Sequence, residues 1–110
     1  MKYQLVLQLG DSSKAAFETL VGLEDALTEK LGEDLGYVDG HDWGSGTANI
    51  FIHTDDPESA FERIKSIHLA RKLLPQLTVA YREFEKDDWM VLHPAGVAEF
   101  DPLKPARRSQ

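Results

Sequence analysis

Cysteine is absent from the 110 residues, which removes disulfide staples, thiolate metal ligands and cysteine nucleophiles, and fits a reducing compartment. No run approaches the roughly 20 apolar residues needed to cross a bilayer. The start, Met1-Lys2-Tyr3-Gln4, alternates as a strand does and lacks the apolar block of a secretory signal. A cytosolic protein is expected. Basic residues are also scarce, 12 against 19 acidic ones, for a net charge of −7. Because Lys104, Arg107 and Arg108 sit in the last ten residues, residues 1–100 hold only 9 basic side chains against 18 acidic ones. Such a body repels phosphate backbones and anionic membrane surfaces, so nucleic acid and membranes are excluded as partners. No HxxxH or HExxH spacing occurs, and Gly44-Ser45-Gly46 has neither a following helix nor an adjacent Lys, as a phosphate cradle requires. No serine stands in a nucleophile elbow. Neither a cofactor nor a native metal site is expected.

What is present is an ordinary globular composition, 42% hydrophobic and 28% charged, at a length that suits one core. The domain is expected over residues 1–100, followed by a mobile tail over residues 101–110, where Pro102 and Pro105 break any regular pattern. Tyr3, Leu5, Leu7 and Leu9 alternate with Gln4, Val6 and Gln8, which predicts a strand with one apolar face. Gly10-Asp11-Ser12-Ser13 then supplies a turn and cap for a helix whose Ala16, Leu20, Leu23, Leu27 and Leu31 form one stripe, with Gly32 as its stop. Leu35–Asp42 and Thr47–His53, joined through Gly44-Ser45-Gly46, read as a β-hairpin. Asp55-Asp56-Pro57-Glu58 starts a second helix, with a capping carboxylate, a proline in the first turn and a negative charge near the dipole's positive end. That helix should bury Ala60, Phe61, Ile64 and Ile67 and end before Pro75. Leu77–Glu85 and Trp89–His93 complete the pattern as two further strands.

The succession β-α-β-β-α-β with one added strand is that of the ferredoxin-like α+β fold, an antiparallel sheet with both helices on one face. At GHDWGSGTANIFIHTDDP, Gly40 to Pro57, the chain resembles a group of small bacterial proteins of ferredoxin-like type without an assigned activity. That resemblance implies the fold and the setting, and it assigns no catalytic residue. The fold in turn implies central first and third strands and an open second face. Gln4, Val6 and Gln8 of the first strand should reach that face with Asn49, Phe51 and His53 of the third. The second strand should add Tyr37, Asp39, His41 and Trp43, and the fourth Ala80, Arg82 and Phe84, while Asp42 points away.

This face is the candidate site, and its predicted binding residues are Asp39, His41, Trp43, Asn49, Phe51, His53 and Arg82. A mixture of aromatics, imidazoles and polar groups exceeds what a merely solvated face requires. The face suits a non-enzymatic binding module that engages a protein partner or its own copy, with Phe51, Phe84 and Val6 at the centre of the interface. Acidic single-domain immunity proteins, which meet a basic toxin site with carboxylates, are similar in kind. The alternative is a small-molecule-binding protein or enzyme in which His41 or His53 serves as base, oriented by Asp39, with Arg82 or Asn49 holding an anionic or carbonyl group. Trp43 is expected at an interface and Trp89 in the core.

Overall fold

The computed structural model describes residues 1–104. Chain order is β1 (Tyr3–Leu9), α1 (Lys14–Lys30), β2 (Tyr37–Gly44), β3 (Thr47–Thr54), α2 (Pro57–Ser66), α3 (His68–Leu73), a 3-10 turn (Leu74–Gln76), β4 (Leu77–Glu83) and β5 (Met90–His93). The architecture is α+β, with one five-stranded antiparallel sheet in the order β2-β3-β1-β4-β5 and three helices. The extra strand, β5, lies outside β4.

Hydrophobic spacing explains the main core. Leu5, Leu7 and Leu9 of β1, Ile50 and Ile52 of β3, and Leu77 and Val79 of β4 meet Leu20, Leu23 and Leu27 of α1 and Ala60, Phe61 and Ile64 of α2. Each Leu, Ile, Val or Phe side chain so removed from water contributes about 1.5–3 kcal/mol. All five residues of the predicted α1 stripe are buried. Ser13 caps α1 by accepting from the Ala16 amide at 3.1 Å, and Gly32 takes a positive φ of 85° just past its end.

Asp56 caps α2 as predicted, accepting from the Ser59 amide at 3.1 Å with Pro57 in the first turn. The second helix does not run unbroken toward Pro75. It stops at Ser66, Ile67 adopts an extended ψ of 124°, and α3 begins at His68. Two local effects account for the break. The Ser66 hydroxyl donates to the Arg63 carbonyl at 2.6 Å, competing with the helical ladder, and the kink keeps β-branched Ile67 in the core at 5% exposure.

The second face of the sheet differs from expectation, because the chain itself covers part of it. Phe100 is buried against Val6 and Ala80, with Phe51, Trp89 and Val91 packed around them. The Asp101 carbonyl accepts from Gln8 Nε2 at 3.0 Å. The Pro102 carbonyl accepts from Thr47 Oγ1 at 3.1 Å and Asn49 Nδ2 at 2.7 Å. The tail expected from residue 101 therefore begins as a strap that lies on the sheet as far as Lys104, where an Asp101–Lys104 bridge closes a turn. The rest of that expected tail, residues 105–110, lies outside the described residues.

Candidate functional site

β1, β3 and β4 orient their side chains as alternation predicts, and β2 does not. Val38 pairs with Ile52, yet Gly40 and not Asp39 pairs with Phe51, so Asp39 is the extra residue of a β-bulge. One inserted residue inverts the facing of everything beyond it. His41 and Trp43, opposite Ile50 and Ala48, therefore turn to the helix side, and Asp42, opposite Asn49, turns to the far side. The expectation that His41 and Trp43 stand beside Asn49 and His53 while Asp42 points away is overturned for these three residues. The signal that could have found the bulge is Gly40, a glycine inside a strand pattern.

The predicted residues consequently divide into three groups. At the far-face end of the hairpin, Asp39 and His53 do come together, joined by Tyr37 and Phe84. His53 Nε2 lies 3.2 Å from Asp39 Oδ2, and its Nδ1 lies 2.8 Å from the Tyr37 hydroxyl. The nearby carboxylate charge favours a proton on Nε2, and in that tautomer Nδ1 accepts from the Tyr37 hydroxyl. The ring is held between Tyr37 at 5.0 Å and Phe84 at 4.8 Å. Tyr37 remains 47% exposed, so its hydrogen bond to His53 lies at the solvent boundary.

On the helix side of β2, His41 Nδ1 meets both carboxylate oxygens of Glu24, at 3.1 and 3.0 Å. Phe17 packs against His41 at 6.0 Å and Trp43 at 5.1 Å. The Trp43 indole donates to the Ser13 carbonyl at 3.2 Å, while 48% of the residue stays exposed. Glu24 and Phe17 were missed in the sequence because they belong to α1. Their spacing of seven residues places them on one helix face, which becomes informative only once α1 is known to run beside β2.

The third group is structural. Asn49 is fully buried, and its Nδ2 donates to Asp42 Oδ1 at 2.8 Å and to Pro102. Phe51 is partly buried in the cluster around Phe100. Arg82 is committed on three sides, donating to Gln4 Oε1 at 3.0 Å and to the Lys86 carbonyl at 2.9 Å and stacking on Trp89 at 5.4 Å. These three hold the strap and the far face together.

Neither a protein-family model, nor a curated protein, nor a solved structure matches this chain. The geometry therefore stands alone. A surface groove of about 920 Å³ runs along α2, lined by residues including Leu35, Phe61, Arg63 and Leu92, and contains none of the seven predicted residues. Among the described residues, no three metal-capable side chains converge, and no helix is long and apolar enough to cross a membrane. Two carboxyls outside the site are held below their ordinary range: Asp34 by the Arg63 guanidinium, and Asp56 by the Ser59 hydroxyl and amide. Burial pushes the Tyr81 phenol up. The chemistry the β2 region offers is recognition: two half-exposed aromatics, two exposed carboxylates and the His41 imidazole on an edge strand, with the His53 imidazole beside them on β3.

Proposed function

We propose that this is a small, non-enzymatic binding module of ferredoxin-like type, a bacterial cytoplasmic protein that engages a protein partner in the manner of an immunity protein. The ferredoxin-like reading is supported by the strand order β2-β3-β1-β4, with one helical crossover after β1 and another, broken into α2 and α3, after β3. The contact surface lies at the β2 margin, because the strap occupies the centre of the far face. One observation carries this reading. Trp43 and Tyr37, residue types that anchor protein interfaces, stand about half exposed at the two ends of the same edge strand.

The test is site-specific photocrosslinking in the native cell, with the probe placed at position 43, at position 37 and, as a control, at Glu62 on the outer side of α2. A discrete adduct with one protein from positions 43 and 37 and none from position 62 is expected. No adduct, or equal adducts from all three positions, refutes the reading. Sedimentation of the purified chain distinguishes an adduct with a second copy from one with a different protein.

A second reading, a small-molecule site or enzyme, is favoured by the row Asp39–His53–Tyr37, in which His53 is hydrogen-bonded to Tyr37 and lies 3.2 Å from the Asp39 carboxylate. It would use His53 as base at the hairpin end, and it predicts that His53→Gln abolishes ligand binding with the fold intact.

A further inference from the structure

The backbone of β2 specifies more about the partner than its side chains do. Ser45 and Gly46, at φ 55° and 88°, form a two-residue turn that closes the hairpin on the Gly44–Thr47 pair. In an antiparallel ladder hydrogen-bonded and non-hydrogen-bonded pairs alternate. Counting back from Gly44, Asp42 and Gly40 bond to β3, whereas Trp43 and His41 turn their amide and carbonyl groups away from it. β2 is the edge of the sheet, and these outward groups meet no partner among the described residues. They repeat every second residue, about 6.7 Å apart, which is the spacing an added strand presents.

Charge selects the strand. Between Lys30 and Arg63 the sequence carries eight carboxylates and no lysine or arginine. Two of them, Asp39 and Asp42, lie on β2 itself and are exposed. A second copy pairing antiparallel through β2 would set these carboxylates against their own counterparts, and like charges across a strand pair are destabilising. Charged residues and bulges ordinarily protect an edge from indiscriminate pairing. Here all the protecting charge has one sign, so it repels acidic strands and attracts basic ones.

We infer that β2 accepts an added strand from its protein partner, and that the incoming segment is extended and carries lysine or arginine at alternate positions. The inference rests on the binding reading above and names the partner's chemistry. Trp43, braced by Phe17 and Ser13, supplies the apolar contact at one end, and Asp39 and Asp42 meet the basic side chains.

The experiment is an amide NMR titration of the whole chain with two eight-residue peptides, one alternating threonine with lysine and the other threonine with glutamate. The lysine peptide should shift the Gly40–Gly44 amides and slow hydrogen exchange at His41 and Trp43 at least tenfold, and the glutamate peptide should do neither. Neutralising both carboxylates with Asp39→Asn and Asp42→Asn should weaken the lysine peptide roughly 2- to 30-fold, as two exposed ion pairs would. His41→Pro removes an outward N–H without touching the β3 ladder, so it should abolish binding while resonances in β1 and β4 stay in place. Equal binding of both peptides, shifts confined to the α2 groove, or parent affinity in the His41→Pro variant overturns the inference. A crosslink at position 43 together with an inert lysine peptide overturns the basic-strand inference alone and leaves the binding reading standing.

Discussion

Replacing Phe100 with alanine tests whether the strap is part of the fold. Phe100 is 8% exposed and lies on Val6, Ala80 and Trp89. Truncation to alanine returns roughly 100–150 Å² of apolar contact to water, a loss of about 3 kcal/mol at 25 cal/mol per Å². With a urea slope of about 1.5 kcal/mol per M, the unfolding midpoint should fall by about 2 M. Trp89 packs edge-to-face on Phe100 with centroids 4.9 Å apart, so its emission should red-shift in the folded baseline. The strap also links Phe100 to Asn49 through the Pro102 carbonyl. Asn49→Ala should therefore cost less in the Phe100→Ala background than in the parent, by about 0.5 kcal/mol or more. A Phe100→Ala midpoint within about 0.3 M of the parent, with the two substitutions additive, would refute the reasoning.

Gly36 and Gly40 have the same backbone angle, φ 156° and 155°, but a Cβ at Gly36 would collide with the His53 carbonyl while one at Gly40 would meet nothing. Gly40→Ala should cost about 1–2 kcal/mol in backbone strain, and calorimetry should find Gly36→Ala distinctly worse; equal melting temperatures would refute the close approach. Asn49→Asp places a second carboxylate 2.8 Å from the Asp42 oxygen in place of a donor, so its urea midpoint should fall further below the parent's at pH 7 than at pH 4.5; a deficit independent of pH counts against this. The Asp34 and Asp56 carboxyls titrate below their ordinary value of 3.8. Their stabilisation is thus present above that value and lost as pH falls through the lower folded values. Asp56→Asn keeps a capping acceptor, so its stability curve should match the parent above about pH 5 and fall less steeply below pH 4; parallel acid limbs would refute the assignment.

The parts of this fold that were legible in the sequence are those written as periodicity or capping. The α1 stripe, the Asp56-Pro57 start and the alternation of β1 and β3 each follow from one local rule. The site was less legible because its geometry depends on one residue of register. Tyr37 to Trp43 alternates plausibly with Asp39, His41 and Trp43 on one side, and only the bulge at Asp39 shows that the last two face α1. The strap was illegible for a different reason. Residues 94–104 contain two prolines and a glycine and make no strand or helix, so nothing periodic marks Phe100 as a core residue or the Asp101 and Pro102 carbonyls as acceptors. Asn49 and Arg82 looked like ligand-binding groups because polar side chains that stabilise a nonperiodic segment are the same types that hold a small molecule.

The bulge has a consequence for how the hairpin can change. Of the eight residues of β2 only Val38 packs on the main core, and glycine occupies two of the other positions. Buried side chains therefore fix the register of β2 weakly, and the two-residue turn and the extra residue at Asp39 fix it instead. Deleting Asp39 would leave the turn and β3 in place and rotate Tyr37 and Val38 by one face, removing Tyr37 from His53 and taking Val38 off the margin of the core. A single-codon deletion here would re-sort which aromatic meets which imidazole, so the hairpin edge can acquire a new recognition surface at the cost of one core-margin contact, Val38.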